Sequence, residues 1–397
     1  MSAASISSMQ NPSLFLYGPG QAKYEERPIP QIEEPDDVIV RVAYTGVCGV
    51  MYVHLQLQLA HSDVHFWLHG GMKRHVSPDR PLVMGHEASG IVHEVGPNVT
   101  GLSPGDHVAL EPGYPCRRCP RCKAGRYNLC PEMRFAGDPP VGHGTLTKFF
   151  KLPADYVYKI PADGGLGLDE AVLIEPLAVA VHTARQVGVT PGDQVVVFGA
   201  GTIGLLCAAV AREFGASKIV AVDINEEKLR FAEKFLGGSS SSSSLGTYKP
   251  DASLSSEENA QRIVELHDLG ADTASPSPTE EGLQGADIVI DATGAEPCIQ
   301  TGIYVLRTGG TFIQTGLGKH IVEFPITTVA NRELTVKGCF RYGPGDYKLA
   351  IALACEGKIP PLKTLITKVL PFEKATEAWE TTRRGEGIKT LIRGVQD

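Results

Sequence analysis

No apolar run in this chain of 397 residues is long enough to span a bilayer. Positive charge is not in excess either: 37 Lys and Arg face 45 Asp and Glu, a formal net charge of −8. That removes the electrostatic reason to expect nucleic acid or an anionic membrane surface as a partner. Residues 1–12 lack the basic start and apolar centre of a secretory leader, so a cytoplasmic protein is expected. The nine cysteines are not spread as in a secreted disulfide scaffold; four of them crowd into residues 116–130, which in a reducing compartment points to metal. What is present is the composition of an ordinary globular chain, 42% hydrophobic and 21% charged, with material for two or three domains.

The chain is organised around an apolar run, Val195-Val196-Val197-Phe198, that ends in Gly199-Ala200-Gly201-Thr202-Ile203-Gly204. A helical pattern follows to Phe214, then a second apolar run closed by Asp223. Gly199 allows a tight turn off the strand, Gly201 lets backbone approach a pyrophosphate, and Gly204 lets helix and strand pack closely. The free N–H groups at the helix start then face the phosphates. Asp223, nineteen residues after Gly204, can bond both ribose hydroxyls and repels a 2′-phosphate, so NAD is expected over NADP. Alternation continues with helices expected at 225–236 and 260–269 and buried strands at 286–291 and 310–317. The pattern predicts a parallel, doubly wound sheet over about residues 190–325, with its ligand at the strands' carboxyl ends. Two polar stretches, 237–245 and 273–281, read as surface loops.

On either side the texture is β-rich, with strands expected at 38–44, 145–150, 156–161 and 388–393. Cys116, Cys119, Cys122 and Cys130 match a closed tetrahedral zinc site, with two disulfides or an iron–sulfur cluster as alternatives. The interleaved Arg117, Arg118, Arg121, Lys123 and Arg126 are expected to lower the thiol pKa values. Cys48 stands apart and on residue type alone reads as a buried thiol. His86 and Glu87 are neighbours, so both reach one metal only on an irregular turn, which Gly85 and Gly90 allow. Glu175 precedes Pro176 at the entry to a helix, where an acid also simply stabilises the helix N-terminus. Arg341-Tyr342 has a bland reading as a surface pair.

Taken in order, Gly46-Val47-Cys48-Gly49, Gly85-His86-Glu87, the four-cysteine lobe, Glu175-Pro176, the glycine motif with Asp223, and Phe340-Arg341-Tyr342 resemble the zinc-dependent medium-chain dehydrogenases. The likeness is to the polyol branch, with sorbitol and xylitol dehydrogenases, and runs from about Asn11 to Gly394. The resemblance implies an α/β protein: a β-rich GroES-like catalytic domain from residues 1–180 and 326–397, and a Rossmann domain, 181–325, inserted between them. It implies a catalytic zinc on Cys48, His86 and Glu87, with water or substrate oxygen as fourth ligand, and a structural zinc on the four cysteines. Glu175 is implied as the acid beside that water, able to touch metal or substrate. Arg341 and Tyr342 are implied as polyol and cofactor contacts, and Ile203, Asp223 and Lys228 as NAD contacts. The turns Thr315-Gly316-Leu317 and Cys339-Phe340-Arg341 are implied to meet nicotinamide through backbone. The implied reaction is polyol to ketose, xylitol to D-xylulose first, with sorbitol and L-arabinitol next. The assembly implied is a homo-oligomer, a tetramer.

One departure is large. The family pattern after Cys48-Gly49 resumes only at Ser62-Asp63-Val64-His65, and excising residues 50–61 restores it without a gap, as a retained intron or gene-model error would. If those residues are present in the protein, Ser62 has to loop back to serve as proton-relay hydroxyl. His54 and His61 then become competitors for zinc or plain surface histidines, and the alternative of a nucleotide-binding homologue without activity arises. Phe66 stands where relatives often carry a tyrosine, which removes one hydroxyl from the expected substrate contacts.

Overall fold

A computed structural model describes residues 6, 9–49, 62–71, 75–139, 142–237, 244–270 and 284–396. The interruption 50–61 with His54 and His61, most of the first polar stretch (238–243) and all of the second lie outside the described residues.

The β-branched run around Val195 forms β1 (Gln194–Phe198) of a six-stranded sheet. Its other members are β2 (Lys218–Val222), β3 (Leu245–Tyr248), β4 (Ala286–Asp291), β5 (Leu306–Gln314) and β6 (Thr335–Gly338). All five pairings are parallel, and the spatial order is β3-β2-β1-β4-β5-β6. The order reverses between β1 and β4, so a crevice opens there at the carboxyl ends. Residues along β1 divide between two cores. Val195 and Val197 pack with Leu205, Leu229 and Leu177 on one face, and Val196 and Phe198 with Ala260, Ile263 and Ile303 on the other. A period of two with apolar residues on both faces is what a sheet covered on both sides requires. The helices expected near 225–236 and 260–269 form at Glu226–Gly237 and Ser256–His267, the second opened by a Ser255/Glu258 capping box.

The other strands build a mostly antiparallel seven-stranded sheet and two smaller antiparallel ones. Strand Asp37–Gly46 pairs with Glu87–Val95 on one side and with Lys389–Arg393 on the other, so segments from near both ends of the chain meet in one sheet. The strand expected at 145–150 is shifted: only Phe149–Pro153 pairs with Asp37–Gly46, while Thr147 is held by the side chains of Asn11 and Ser13. The backbone of Thr147 bridges to Ser13 instead, beside the strand Pro12–Gly18.

Three helices bear on the site. They are α1 (Asp63–His69), α2 (Ile174–Val187) and α3 (Thr202–Glu213). Helix α2 begins one residue before Glu175, so Pro176 sits third in the helix, not first. Proline is tolerated there because N–H groups of the opening turn have no intrahelical acceptor to lose. Among the described residues no helix is long and apolar enough to cross a membrane.

Candidate active site

Cys48, His86 and Glu87 come together at one end of the antiparallel sheet. Strand Asp37–Gly46 runs directly into Val47 and Cys48, and Gly46 pairs with Glu87, the first residue of the next strand. Gly85 supplies the break that lets both neighbours face one point; its φ is +93°. Gly90, by contrast, is not part of a turn. It lies inside Glu87–Val95, where a Cβ would meet the Arg41 carbonyl oxygen at 2.4 Å, so its smallness serves strand packing. The sulfur, one imidazole nitrogen and one carboxylate oxygen of the three ligand candidates all lie within 4.8 Å of one another. A thiol, an imidazole and a carboxylate form a donor set that suits a zinc ion with one open position.

Electrostatics favour a cation there. Burial, then the charge of Glu87, pushes the Cys48 thiol well above its ordinary value. Burial and Glu87 also raise Glu175 to about 8, and burial raises Asp63 to about 7 despite the N–H of Cys48. Four acidic groups thus crowd a site whose own cations are Lys389 and Arg341. A divalent ion would reverse these shifts, because it favours the ionised forms. Glu175 reaches the group from the first turn of α2, is 7% exposed and makes no capping hydrogen bond to its helix.

Three residues of this site were not assigned from the sequence. Lys389 opens the strand Lys389–Arg393 and forms an ion pair with Oε2 of Glu87, each side chain only 4% exposed. Its ammonium also donates to the Val47 carbonyl at 3.1 Å. No local pattern marks a buried lysine. Gly46 is the second: a Cβ there would sit 2.2 Å from Oε2 of Glu87, so only glycine leaves room for that carboxylate. The third, Asp63, accepts from the N–H of Cys48 at 3.1 Å and of Gly85 at 3.0 Å. Ser62 does return to Cys48, donating to its carbonyl at 2.9 Å while capping α1. Phe66 is a core residue, 3% exposed and packed with Leu14, Val64 and Trp379; its ring is part of the fold, not an exposed pocket wall.

The surface reading of Arg341-Tyr342 does not hold. Tyr342 is 2% exposed, and its buried hydroxyl lies beside Glu175 without an aligned hydrogen-bond partner. The Arg341 guanidinium lies 3.6 Å from the centroid of the Phe135 ring, whose other neighbour is His86 at 5.6 Å between rings. Arg341 takes a left-handed φ of +56°, and Asn128 donates to the preceding carbonyl of Phe340 at 2.8 Å. The four-cysteine lobe therefore braces this segment.

Within that lobe the four sulfurs also lie within 4.8 Å of one another, with Cys119 Sγ 3.5 Å from Cys122 Sγ and 3.9 Å from Cys130 Sγ. A tetrahedron with Zn–S of about 2.3 Å has edges of about 3.8 Å. All four thiols are free, which removes the disulfide alternative. The basic side chains do not tune these thiols as expected. Cys116 is lowered to about 7, chiefly by the Arg118 and Cys119 backbone N–H groups, while burial and neighbouring sulfurs push Cys122 up to about 12. Arg117 and Arg118 are instead paired with Asp155 and Glu132.

In the glycine motif the turn of Gly199 and the close packing of Gly204 are seen directly. Gly199 turns at φ +97°; a Cβ on Gly201 would enter open space; a Cβ on Gly204 would lie 1.7 Å from the Gly199 oxygen. Asp223, at the end of β2, accepts from the N–H groups of Ala200 at 2.8 Å and Asn225 at 2.9 Å. Ala200 is buried, while Ile203 and Lys228 are half-buried, the latter on helix Glu226–Gly237. Thr315 and Gly316 both donate to the Asp291 carbonyl, and Leu317 follows half-buried. Thr183 of α2 links Thr315, at 3.2 Å, with Cys339, at 3.3 Å; Phe340 is exposed. The cradle and the ligand set are joined, since Thr202 donates to the carbonyl of Ile388, next to Lys389, at 3.0 Å.

A parallel sheet with a glycine cradle, beside an antiparallel sheet carrying a thiol–imidazole–carboxylate set, defines a metal-dependent dehydrogenase. The chain belongs to that family: residues 34–162 match the alcohol dehydrogenase GroES-like domain and residues 202–356 the zinc-binding dehydrogenases. It is an oxidoreductase with a GroES-like part and a Rossmann part. Among individual proteins, it is 50% identical over 395 residues to a probable D-xylulose reductase A of Aspergillus clavatus, covering 100% of both chains. It is likewise 50% identical over 386 residues to the D-xylulose reductase A of Aspergillus niger, covering 97% of each. Among solved structures, an Escherichia coli oxidoreductase/dehydrogenase of unknown specificity superposes with a TM-score of 0.82 at 29% identity, covering 98% of this chain and 100% of that one.

Proposed function

We propose that this chain oxidises a polyol to a ketose with NAD, xylitol to D-xylulose being the leading pair and sorbitol or L-arabinitol the next substrates to test. The observation that carries this is the Cys48, His86 and Glu87 set, with Glu175 facing it, tied to the glycine cradle through Thr202 and Ile388. The relatives named D-xylulose reductase supply the substrate class.

In this reading residues 1–180 and the C-terminal segment form the catalytic domain, and the NAD-binding domain begins at 181 but runs past the expected end at 325, because β6 (Thr335–Gly338) is a strand of its parallel sheet. Zinc, when bound, supplies a Lewis acid for the alcohol oxygen, and NAD, when bound, accepts the hydride. Cys48, His86 and Glu87 hold the metal and leave one position open. Glu175, in the first turn of α2 beside Glu87, is the carboxylate that holds or releases the alcohol proton next to the ligand set. Ser62 is the relay hydroxyl of this reading, and using it so requires it to leave its bond to the Cys48 carbonyl. Arg341 and Tyr342 orient the polyol from the Phe135 side. Asp223 selects NAD by repelling a 2′-phosphate. The four cysteines hold a second, structural zinc. A homo-oligomer is part of the same reading; Val336, on the edge strand β6, is 46% exposed.

The test is steady-state NADH formation by the zinc-replete chain with xylitol, sorbitol and L-arabinitol, with NADP as rival acceptor. A folded protein that holds zinc and NAD yet reduces no NAD with any of the three would sink the reading.

A further inference from the structure

We propose that Asp346 is a positioning residue that, with His182 and Arg185, sets the Tyr342 hydroxyl beside Glu175 and so governs the grip on the polyol. Its carboxylate is 1% exposed and opens the helix Asp346–Cys355. Oδ2 accepts the Gly343 N–H at 2.7 Å and pairs with His182 Nδ1 at 2.7 Å, while Oδ1 accepts Arg185 Nη1 at 2.6 Å. Three partners thus fill one buried carboxylate, where charge-assisted bonds are strong. Arg185 also donates to the Pro344 carbonyl at 3.3 Å. Gly343 lies so close to this group that a Cβ on it would sit 3.3 Å from Cε1 of His182. The residue after Asp346, Tyr347, meets the Tyr342 ring edge to face at 5.0 Å between centroids. Its own hydroxyl is anchored on the Leu110 carbonyl at 2.9 Å. Tyr342 is therefore held by Tyr347 on one side and through Gly343 on the other.

The segment needs an outside hold because its own backbone supplies little. Between β6 and the helix the chain turns left-handed at Arg341, φ +56°, and at Gly345, φ +84°, and two glycines flank Pro344. Glycine gives up more freedom on ordering than any other residue. His182 and Arg185 lie three residues apart on one face of α2, whose first turn carries Glu175. Seven residues of helix separate Glu175 from His182, about 10 Å at about 1.5 Å each, so α2 is a rigid gauge between the acid and the segment that faces it. The Tyr342 hydroxyl, buried beside Glu175 without an aligned partner, is the group so placed. The turns assigned to nicotinamide hang on a different residue of α2, Thr183, which touches Thr315 and Cys339. Asp346 therefore acts on the polyol side and not on the cofactor side. The proposal rests on the reading that Tyr342 contacts the polyol.

The experiment is a double-mutant cycle on the zinc-replete full chain: wild type, Asp346→Asn, Tyr342→Phe and the two combined. Each is assayed for kcat/KM with the best of xylitol, sorbitol and L-arabinitol, and for NADH affinity by fluorescence. Asparagine keeps the size of Asp346 but turns an N–H toward groups that themselves donate. Asp346→Asn is expected to lower kcat/KM for the polyol about 10–100-fold, the scale of a misplacement of about 1 Å. NADH affinity should not change. On the Tyr342→Phe background the same substitution should cost little more, because the group it acts through is gone. A merely structural role would instead make the two losses multiply. Should Asp346→Asn fail to fold, Arg185→Gln carries the same cycle, its side chain being 50% exposed, with a several-fold loss expected. Losses that multiply, a matching loss of NADH affinity, or no loss in the variant that folds while Tyr342→Phe is impaired would each overturn the role of Asp346 alone. Unchanged polyol kinetics in Tyr342→Phe, or no polyol oxidised by wild type, would overturn the polyol reading and this role with it.

Discussion

Replacing Lys389 by methionine should destabilise the metal-free protein far more than the zinc-loaded one. The ammonium and the Glu87 carboxylate are each 4% exposed, so solvent screens neither. Removing one partner of such a pair leaves a buried, uncompensated charge, at a cost of about 3–5 kcal/mol. With about 2.1 cal/mol/K of unfolding entropy per residue, 397 residues melting as one unit lose about 4–6 °C in Tm. A zinc ion held by Glu87 as proposed would replace the missing charge, so the loss in the zinc-loaded protein should fall to less than half. Methionine keeps most of the aliphatic stem, which confines the change to charge and to the bond with the Val47 carbonyl. Scanning calorimetry of Lys389→Met and wild type, each zinc-stripped and zinc-replete, makes the comparison, and Lys389→Arg serves as a charge-retaining control. Because only differences between variants in the same metal state are used, the four-cysteine site cancels. Equal losses in both states, or no loss in either, would refute the reasoning.

Other outcomes follow from the same geometry. Gly201→Ala should melt like wild type, since its Cβ meets nothing, but bind NAD more weakly. Gly204→Ala should lose about 1–3 kcal/mol even without NAD, because its Cβ is driven into the Gly199 carbonyl; calorimetry with and without NAD separates the two, and the reverse pattern would refute the assigned roles. Asp223→Ser should relax the preference for NAD over NADP, read as the ratio of kcat/KM for the two; an unchanged ratio counts against the acid. Cys116→Ser should cost one zinc per chain by elemental analysis and lower Tm; a variant keeping both zincs would refute the closed site. Burial raises the Glu111 carboxyl to about 7 even though Tyr127 and Tyr158 donate to it. Folding therefore takes up a proton between about pH 4.5 and 7, and stability falls as pH rises through that window. Glu111→Gln should flatten that fall, and an unchanged slope would show that another group causes it.

The dinucleotide half was legible because its signals are local. A strand, three glycines and an acid at set spacing each have one physical job, and all lie within about thirty residues of one another. The four cysteines were legible for the same reason. Their tuning was not, since backbone N–H groups, whose directions spacing does not reveal, outweigh the nearby basic side chains. Arg341 and Tyr342 looked like a surface pair until Phe135 and α2 closed over them.

Chemistry that depends on neighbours in the chain, the glycine cradle and the thiolate lobe, could be read before any coordinates. The immediate surroundings of Glu87 could not. Gly46, Lys389 and Asp63 reach that carboxylate and its fellow ligands from separate segments, and what makes each matter is a contact distance, a buried charge or a pair of backbone donors. Residue type and spacing carry no record of such contacts; they arise when distant strands share a sheet and water is excluded between them.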